Sequence, residues 1–186
     1  VKTKLQVAHT KLCYSRAFIL RAYLLQSHEM LFDAHTQAFR VLGGVTERGI
    51  YDNMKTAVDK IGRGKERTVN KRFLAMVGHY LFEPDFCNAA SGWEKGQVEK
   101  GVRDSRHRIW HNAPDFESLE ALNAWLETRC VALWQELAHP DDRTRTIHAH
   151  WLDECSKLMP VPAAFDGFVE STKRVSSTCL IHFERN

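Results

Sequence analysis

Two acids have the type and setting for metal chemistry: Asp52 and Glu99. Asp52 follows the apolar pair Ile50-Tyr51 in a short segment that reads as a strand, and Glu99 lies in a segment from about Glu94 that reads as a helix. An acid at a strand end and an acid on a nearby helix can converge on one divalent cation. Hard cations such as Mg2+ prefer carboxylate oxygens and keep several waters. Two such ions about 3.5–4 Å apart can activate an attacking oxygen and stabilise a leaving one in phosphoryl transfer. The chain carries 23 acidic residues, so type alone does not single out this pair. Glu94 is the rival to Glu99. Five helical positions are a rotation of about 500°, which leaves the two some 140° apart and unable to face one metal together. Glu99 shares its face with Arg103 and Arg106, at i+4 and i+7, and Glu94 reads as a solvated residue of the first turn.

Other residues allow weaker readings. Lys60, Arg63, Lys65, Arg67, Lys71 and Arg72 fall within thirteen residues, and Lys95, Lys100, Arg103, Arg106 and Arg108 form a second basic cluster. A charge run by itself is usually a solvated face. Among ten histidines, His107 and His111 are spaced i, i+4, and His148 and His150 lie near Cys155. Without an H-E-x-x-H or paired C-x-x-C these read as ordinary surface or partly buried side chains rather than zinc ligands. The five cysteines are odd in number and widely spaced, which fits reduced thiols inside a cell better than a disulfide framework. Trp93, Trp110, Trp125, Trp134 and Trp151 all fall in or beside expected helices and read as packing residues.

The elements that must position these residues follow from periodicity. Segments 4–14 and 17–25, parted by Ser15-Arg16, read as a hairpin whose second strand is largely buried. Ser27 caps a helix to about Leu42 with Leu31, Ala34, Ala38 and Val41 on its apolar face, and Gly43-Gly44 stop it. A short strand at 49–53 follows. The basic stretch 59–70, with Gly62 and Gly64, reads as an exposed loop. A helix over about 67–80 presents Val69, Phe73, Met76, Val77 and Tyr80, and 81–84 is a short strand in which Pro84 marks an edge or an end. A helix over 94–110 has Val98, Val102 and Ile109 inward. Ser118 caps a long helix to about Leu137, with Leu119, Leu122, Leu126, Leu133 and Leu137 inward. A shorter helix spans about 150–158, Pro160-Val161-Pro162 is a linker, and the chain from Phe168 onward is β-like. Hairpin, helix and strand in this order predict a mixed α/β sheet.

A 44% hydrophobic and 26% charged composition is that of a globular protein. No apolar run approaches the roughly 20 residues of a membrane helix. Net charge is +3, and the first residues do not resemble a secretory signal. The chain does not begin with Met and ends in what reads as a strand just starting, so it is expected to be an internal piece of a longer protein.

The words around the two acids narrow the reading. Gly49-Ile50-Tyr51-Asp52-Asn53-Met54-Lys55-Thr56-Ala57-Val58 and Gly92-Trp93-Glu94-Lys95-Gly96-Gln97-Val98-Glu99-Lys100 resemble the last two acid motifs of DDE transposases and retroviral-type integrases. The second matches the pattern Lys/Asn-Gly-x-Val-Glu-Lys/Arg that opens the helix bearing the final Glu. The nearer resemblance is to IstA-type transposases of the insertion-sequence twenty-one family, whose second strand Ala8-His9-Thr10-Lys11-Leu12-Cys13-Tyr14-Ser15-Arg16 also resembles. It covers nearly the whole chain.

The resemblance implies an α/β, ribonuclease-H-like (integrase catalytic core) fold lacking its first strand over 1–112. A helical extension over 113–160 and the linker and first strand of a small β-barrel over 161–186 would follow. It implies Asp52 and Glu99 as catalytic, metal-holding acids, with Mg2+ (or Mn2+) as cofactor. The 46 residues between them exceed the family's commonest spacing, a length the helix at 67–80 accounts for. The first catalytic Asp should sit on the missing strand; Asp33, on the first helix, is no substitute, and the piece alone is expected to be inactive. Lys55, Lys60, Arg63, Lys65, Lys71, Lys95, Lys100, Arg103 and Arg106 flank both acids and become a surface for DNA phosphates, which position a duplex without specifying its sequence. The implied activity is 3′-end cleavage of a mobile element and strand transfer into target DNA. A homo-oligomer on paired ends, an AAA+ helper ATPase and a place at the nucleoid of the bacterial cytoplasm, away from membranes, go with it. Two rivals stand beside it: a simple metal-dependent nuclease, and a non-catalytic DNA-binding or assembly module of the same fold.

Overall fold

In the computed structural model of the chain, residues 4–51, 56–61, 67–87, 108–110 and 113–167 are described. Strands β1 (Gln6–Lys11) and β2 (Phe18–Tyr23) form the expected antiparallel hairpin, with Gln6 opposite Tyr23 and Lys11 opposite Phe18. The turn is closed by Leu12 N–H on the Ala17 carbonyl at 2.8 Å, with Arg16 at φ 66°. Helix α1 (His28–Leu42) begins where the Ser27 side chain accepts the Met30 N–H, and it stops at Gly43, whose φ of 83° suits a residue without a Cβ. Strand β3 (Arg48–Tyr51) pairs in parallel with β6 (Glu83–Phe86), Tyr51 opposite Phe86. The crossover between them carries β4 (Val58–Ile61), β5 (Arg67–Val69) and α2 (Lys71–Tyr80). Helices α3 (Leu119–Glu136) and α4 (Ile147–Cys155) follow.

Several expectations need correction. Within the basic stretch 59–70, residues 59–61 and 67–69 are strand rather than loop: β4 and β5 pair antiparallel, Ala57 and Val58 are buried, and Asn70 N–H bonds the Ala57 carbonyl at 2.9 Å, while 62–66 lie outside the described residues. Val58, Ile61, Thr68 and Val69 are β-branched residue types that favour strand, a signal the neighbouring lysines and arginines obscure in the sequence. Residues 67–69 are therefore strand, and α2 starts only after Asn70, whose Oδ1 accepts the N–H groups of Arg72 and Phe73. The last helix starts at Ile147 rather than near 150, because Thr146 caps it by accepting the Ala149 N–H. On α1 the buried residues are Phe32, Ala34, His35, Ala38, Phe39 and Leu42, while Leu31 and Val41 lie at the margins.

That wider stripe exists because α1 serves two apolar clusters. Ala38 and Leu42 join the hairpin, Ile109 and α3; Phe32 and Phe39 join Val45, Tyr51, Phe73, Met76, Tyr80 and Phe82. Of the helix expected over 94–110, only 108–110 are described; they are helical, with Ile109 buried.

The two helices of the stretch 113–160 pack onto this assembly. Helix α3 lies along the outer edge of β2 and bonds backbone groups of Phe18, Leu20 and Ala22. Asn123 accepts the Ala22 N–H at 2.7 Å and donates to the Ala22 carbonyl at 3.0 Å. The Cys130 thiol is hydrogen-bonded to the Leu20 backbone, and Trp134 Nε1–H donates to the Phe18 carbonyl at 2.9 Å. Phe18, Leu20 and Ala22 share one parity, so one row of side chains seals one strand edge. Residues 159–167 run back over α1 and α2. Met159 bridges Val45, His79 Nε2 donates to the Ala163 carbonyl at 2.7 Å, and Arg72 donates to the Gly167 carbonyl at 3.0 Å. No helix among the described residues is long and apolar enough to cross a membrane.

Candidate functional site

Asp52 and Glu99 both lie outside the described residues, as do Lys55, Arg63, Lys65, Lys95, Lys100, Arg103 and Arg106. Lys60 belongs to β4, with its side chain outside the description, and Lys71 is exposed at the first position of α2. What is defined is how the chain is held on either side of residues 52–55. Tyr51, the last residue of β3, is buried, and the next described residues, Thr56 and Ala57, are buried in turn.

Tyr51 is fixed in two ways. Its carbonyl, half of the peptide unit that joins it to Asp52, accepts the Cys87 N–H at 2.9 Å. Its hydroxyl lies 2.8 Å from His35 Nε2, and His35 Nδ1 lies 2.7 Å from the Leu31 carbonyl. A carbonyl only accepts, so Nδ1 carries the proton and the Tyr51 hydroxyl donates to Nε2. Burial lowers the pKa of His35 and raises that of Tyr51, so the ring stays neutral and the hydroxyl keeps its proton. Phe73 meets the Tyr51 ring edge-on at 5.1 Å, and Phe82 stacks parallel to His35 at 6.1 Å. The sequence reading missed His35. The signal available was a histidine on the buried face of α1, with a tyrosine next to the candidate acid still to be paired.

Several other titratable residues among those described are engaged elsewhere. Asp33 sits on α1, as expected, and takes hydrogen bonds from Arg21 at 2.8 Å, Tyr23 at 2.7 Å and Gln37 at 3.2 Å. Burial works to raise its pKa, but the bonds from Tyr23, Gln37 and Arg21 outweigh it and hold the carboxyl below its ordinary value. Arg72, beside Lys71, is tied to Glu29 at 2.7 Å and lies over the Phe32 ring. His139 and His150 face each other at 4.1 Å. His139 Nδ1 accepts the N–H groups of Asp141 and Asp142 while Nε2–H donates to the Tyr14 carbonyl, which leaves it no lone pair for a metal. Among the described residues no three His, Cys, Asp or Glu side chains converge as a metal site. Trp134 is fully buried, and Trp110, Trp125 and Trp151 pack against the same cluster.

No family model matches the chain. It is 66% identical over 185 residues, its full length, to a transposase from Aminobacter aminovorans, of which it spans 36%. It is 64% identical over the same length to a transposase for insertion sequences IS1326/IS1353 from Pseudomonas aeruginosa, and again spans 36% of it. A transposase for insertion sequence element IS21 from the same species is 32% identical over 126 residues, 68% of this chain and 32% of that protein. The chain thus spans about a third of the length of the curated relatives it matches, and along its whole length it is similar to transposases of insertion sequences.

Proposed function

We propose that the chain is part of the catalytic region of a DDE-type transposase of the IstA kind, with a ribonuclease-H-like core whose first strand lies upstream. The observation that carries this reading is the 66% identity to a transposase over the full chain. The described geometry supports it in one respect. Strands β3 and β6 are parallel, and Asp52 follows the last residue of β3. In open α/β sheets, ligands gather outside the carboxyl ends of the strands.

Asp52 and Glu99, with an acid contributed from upstream, would hold Mg2+ or Mn2+. Carboxylate oxygens fit such hard cations, which when bound supply Lewis-acid stabilisation of the phosphate and a lowered pKa for attacking water. The chemistry is then two in-line displacements at phosphorus. Water attacks at an element end and leaves a 3′ hydroxyl. That hydroxyl attacks target DNA and displaces a target 3′ oxygen, with no covalent protein–DNA intermediate. The lysines and arginines around the acids would track the phosphate backbone. A homo-oligomer on paired ends and an AAA+ helper ATPase complete the proposed machine.

The test uses the full-length protein with labelled element ends, target plasmid, Mg2+ and the helper protein. Asp52→Asn and Glu99→Gln should each cut cleavage and joining at least about 100-fold, close to 2.7 kcal/mol in the barrier, while Glu94→Gln stays near wild type. Joining at the wild-type rate by Glu99→Gln would overturn the assignment of that acid. Wild-type protein that cuts but never joins would be a nuclease, and one that only binds would be the non-catalytic module.

A further inference from the structure

We propose that His35 and Tyr51 form a positioning pair, whose hydrogen bond orients the backbone from which Asp52 presents its carboxylate; this rests on the catalytic reading of Asp52.

The pair stands out by its surroundings. Around it the second cluster is mostly apolar: Phe39, Phe73, Met76, Val77 and Phe82. Two phenylalanines would fill the space of the two rings with no polar group to satisfy. Replacing both members of a buried hydrogen bond by apolar groups of like shape is nearly neutral for stability, whereas orphaning one member costs about 1–3 kcal/mol. Stability therefore does not call for a polar pair here. What a hydrogen bond adds over packing is direction, since the Tyr51 hydroxyl meets Nε2 in one ring orientation only.

The bond is also placed to act on one neighbour. Tyr51 is the final residue of β3, and its carbonyl and the Asp52 N–H belong to one planar peptide unit. That carbonyl is held by Cys87 N–H from the end of β6. The side chain is held by His35 from α1, and His35 is itself directed by the Leu31 carbonyl. Two hydrogen bonds, one from the residue after β6 and one to a histidine of α1 that is itself held by Leu31, thus set the residue before the acid. Pairing with β6 restrains the backbone of Tyr51, and the His35 bond adds a restraint on its side chain. A metal-holding carboxylate needs such restraint, because displacement by about 1 Å can cost on the order of 100-fold in rate.

The experiment is a double-mutant cycle in the full-length protein: Tyr51→Phe, His35→Phe and the two together, with Asp52→Asn as reference. Three quantities are read: thermal midpoint, affinity for Mn2+ alone by electron paramagnetic resonance of the free ion, and single-turnover joining of element-end DNA. A positioning pair predicts that each single variant melts lower and that the double variant regains much of the loss. Mn2+ affinity should stay several-fold weaker and joining at saturating DNA roughly tenfold slower in Tyr51→Phe and in the double variant alike. The DNA concentration for half-maximal rate should be unchanged. A double variant that regains stability, Mn2+ affinity and joining together would make the pair a packing device and overturn the proposal. Should the double variant not fold, Tyr51→Phe decides: wild-type Mn2+ affinity and joining refute the proposal, and loss of both at a temperature where it is folded supports it. If Asp52→Asn itself binds Mn2+ and joins DNA like wild type, the catalytic reading has failed and takes the pair with it. If only the Tyr51 and His35 variants behave as wild type, the pair alone has failed.

Discussion

Burial of two imidazoles should make this protein sensitive to mild acid. His35 is enclosed, with its pKa lowered by desolvation, and the pKa of His9 is lowered to about 4, by burial first and by Lys11 second. His9 Nε2 also has no hydrogen-bond partner. Both rings are neutral in the fold, while in the unfolded chain they protonate near 6.5. Below that pH the unfolded state binds more protons, so the stability these two rings contribute should fall as pH drops from about 6.5 towards 4 and be level above it. His9 should account for about 2–3 kcal/mol of this, and calorimetric melts of His9→Leu across that window should show a flatter slope than wild type. Leu81 presents the opposite case, a residue whose removal should help. It ends α2 at φ 61° and is 76% exposed. A left-handed conformation costs a branched residue about 1 kcal/mol that glycine does not incur. Leu81→Gly should therefore raise the urea midpoint by an amount worth about 0.5–1 kcal/mol.

At the level of elements, the outer edge of β2 carries the sharpest prediction. Edge strands expose unpaired backbone groups that can recruit another chain, and α3 meets those of Ala22, Leu20 and Phe18 with Asn123, Cys130 and Trp134. Asn123→Ala removes both bonds to Ala22 at a buried site, so two orphaned groups should cost about 2–4 kcal/mol. The urea midpoint should fall accordingly, and light scattering should reveal self-association beyond that of the wild type. The periodicity of α3 marked Leu122, Leu126 and Leu133 as inward. It gave no notice of Asn123, because an isolated polar residue on an apolar face looks like an error until its partner strand is known. The loop reading of 59–61 and 67–69 failed for a related reason. Charge along the chain was visible, but burial of Ala57 and Val58 depends on a cluster built from Tyr51, Phe73 and Phe82.

For the whole molecule, the question is which cations are free to meet DNA. Lys71 is exposed, and the neighbouring Arg72 is committed to Glu29, Phe32 and the Gly167 carbonyl. In the full-length protein, Lys71→Ala should weaken DNA binding a few-fold whatever the sequence and lower the slope of log affinity against log salt by about 0.9. Arg72→Ala should act mainly on stability, through loosening of residues 163–167 from α1 and α2, and thermal melts of the two variants would separate these effects. The same fastening of residues 159–167 by Met159, Ala163 and Gly167 shows that a proline-marked linker in sequence can be a docked strap in space.

Local signals in the sequence sufficed for the β1–β2 hairpin, for α1 between Ser27 and Gly43, and for the Ser118 cap of α3, because each is decided within a few residues by caps, turns and periodicity. Asp52 and Glu99 were likewise named by their flanking words, and they remain a reading of sequence. Tertiary structure decided what local signals cannot: that Asp33 is consumed by Arg21 and Tyr23, that Asn123 completes a strand edge 101 residues away, and that His35 is joined to Tyr51. The physical reason is that a polar side chain takes its role from its partner, and the partner is brought to it by the burial of apolar surface elsewhere.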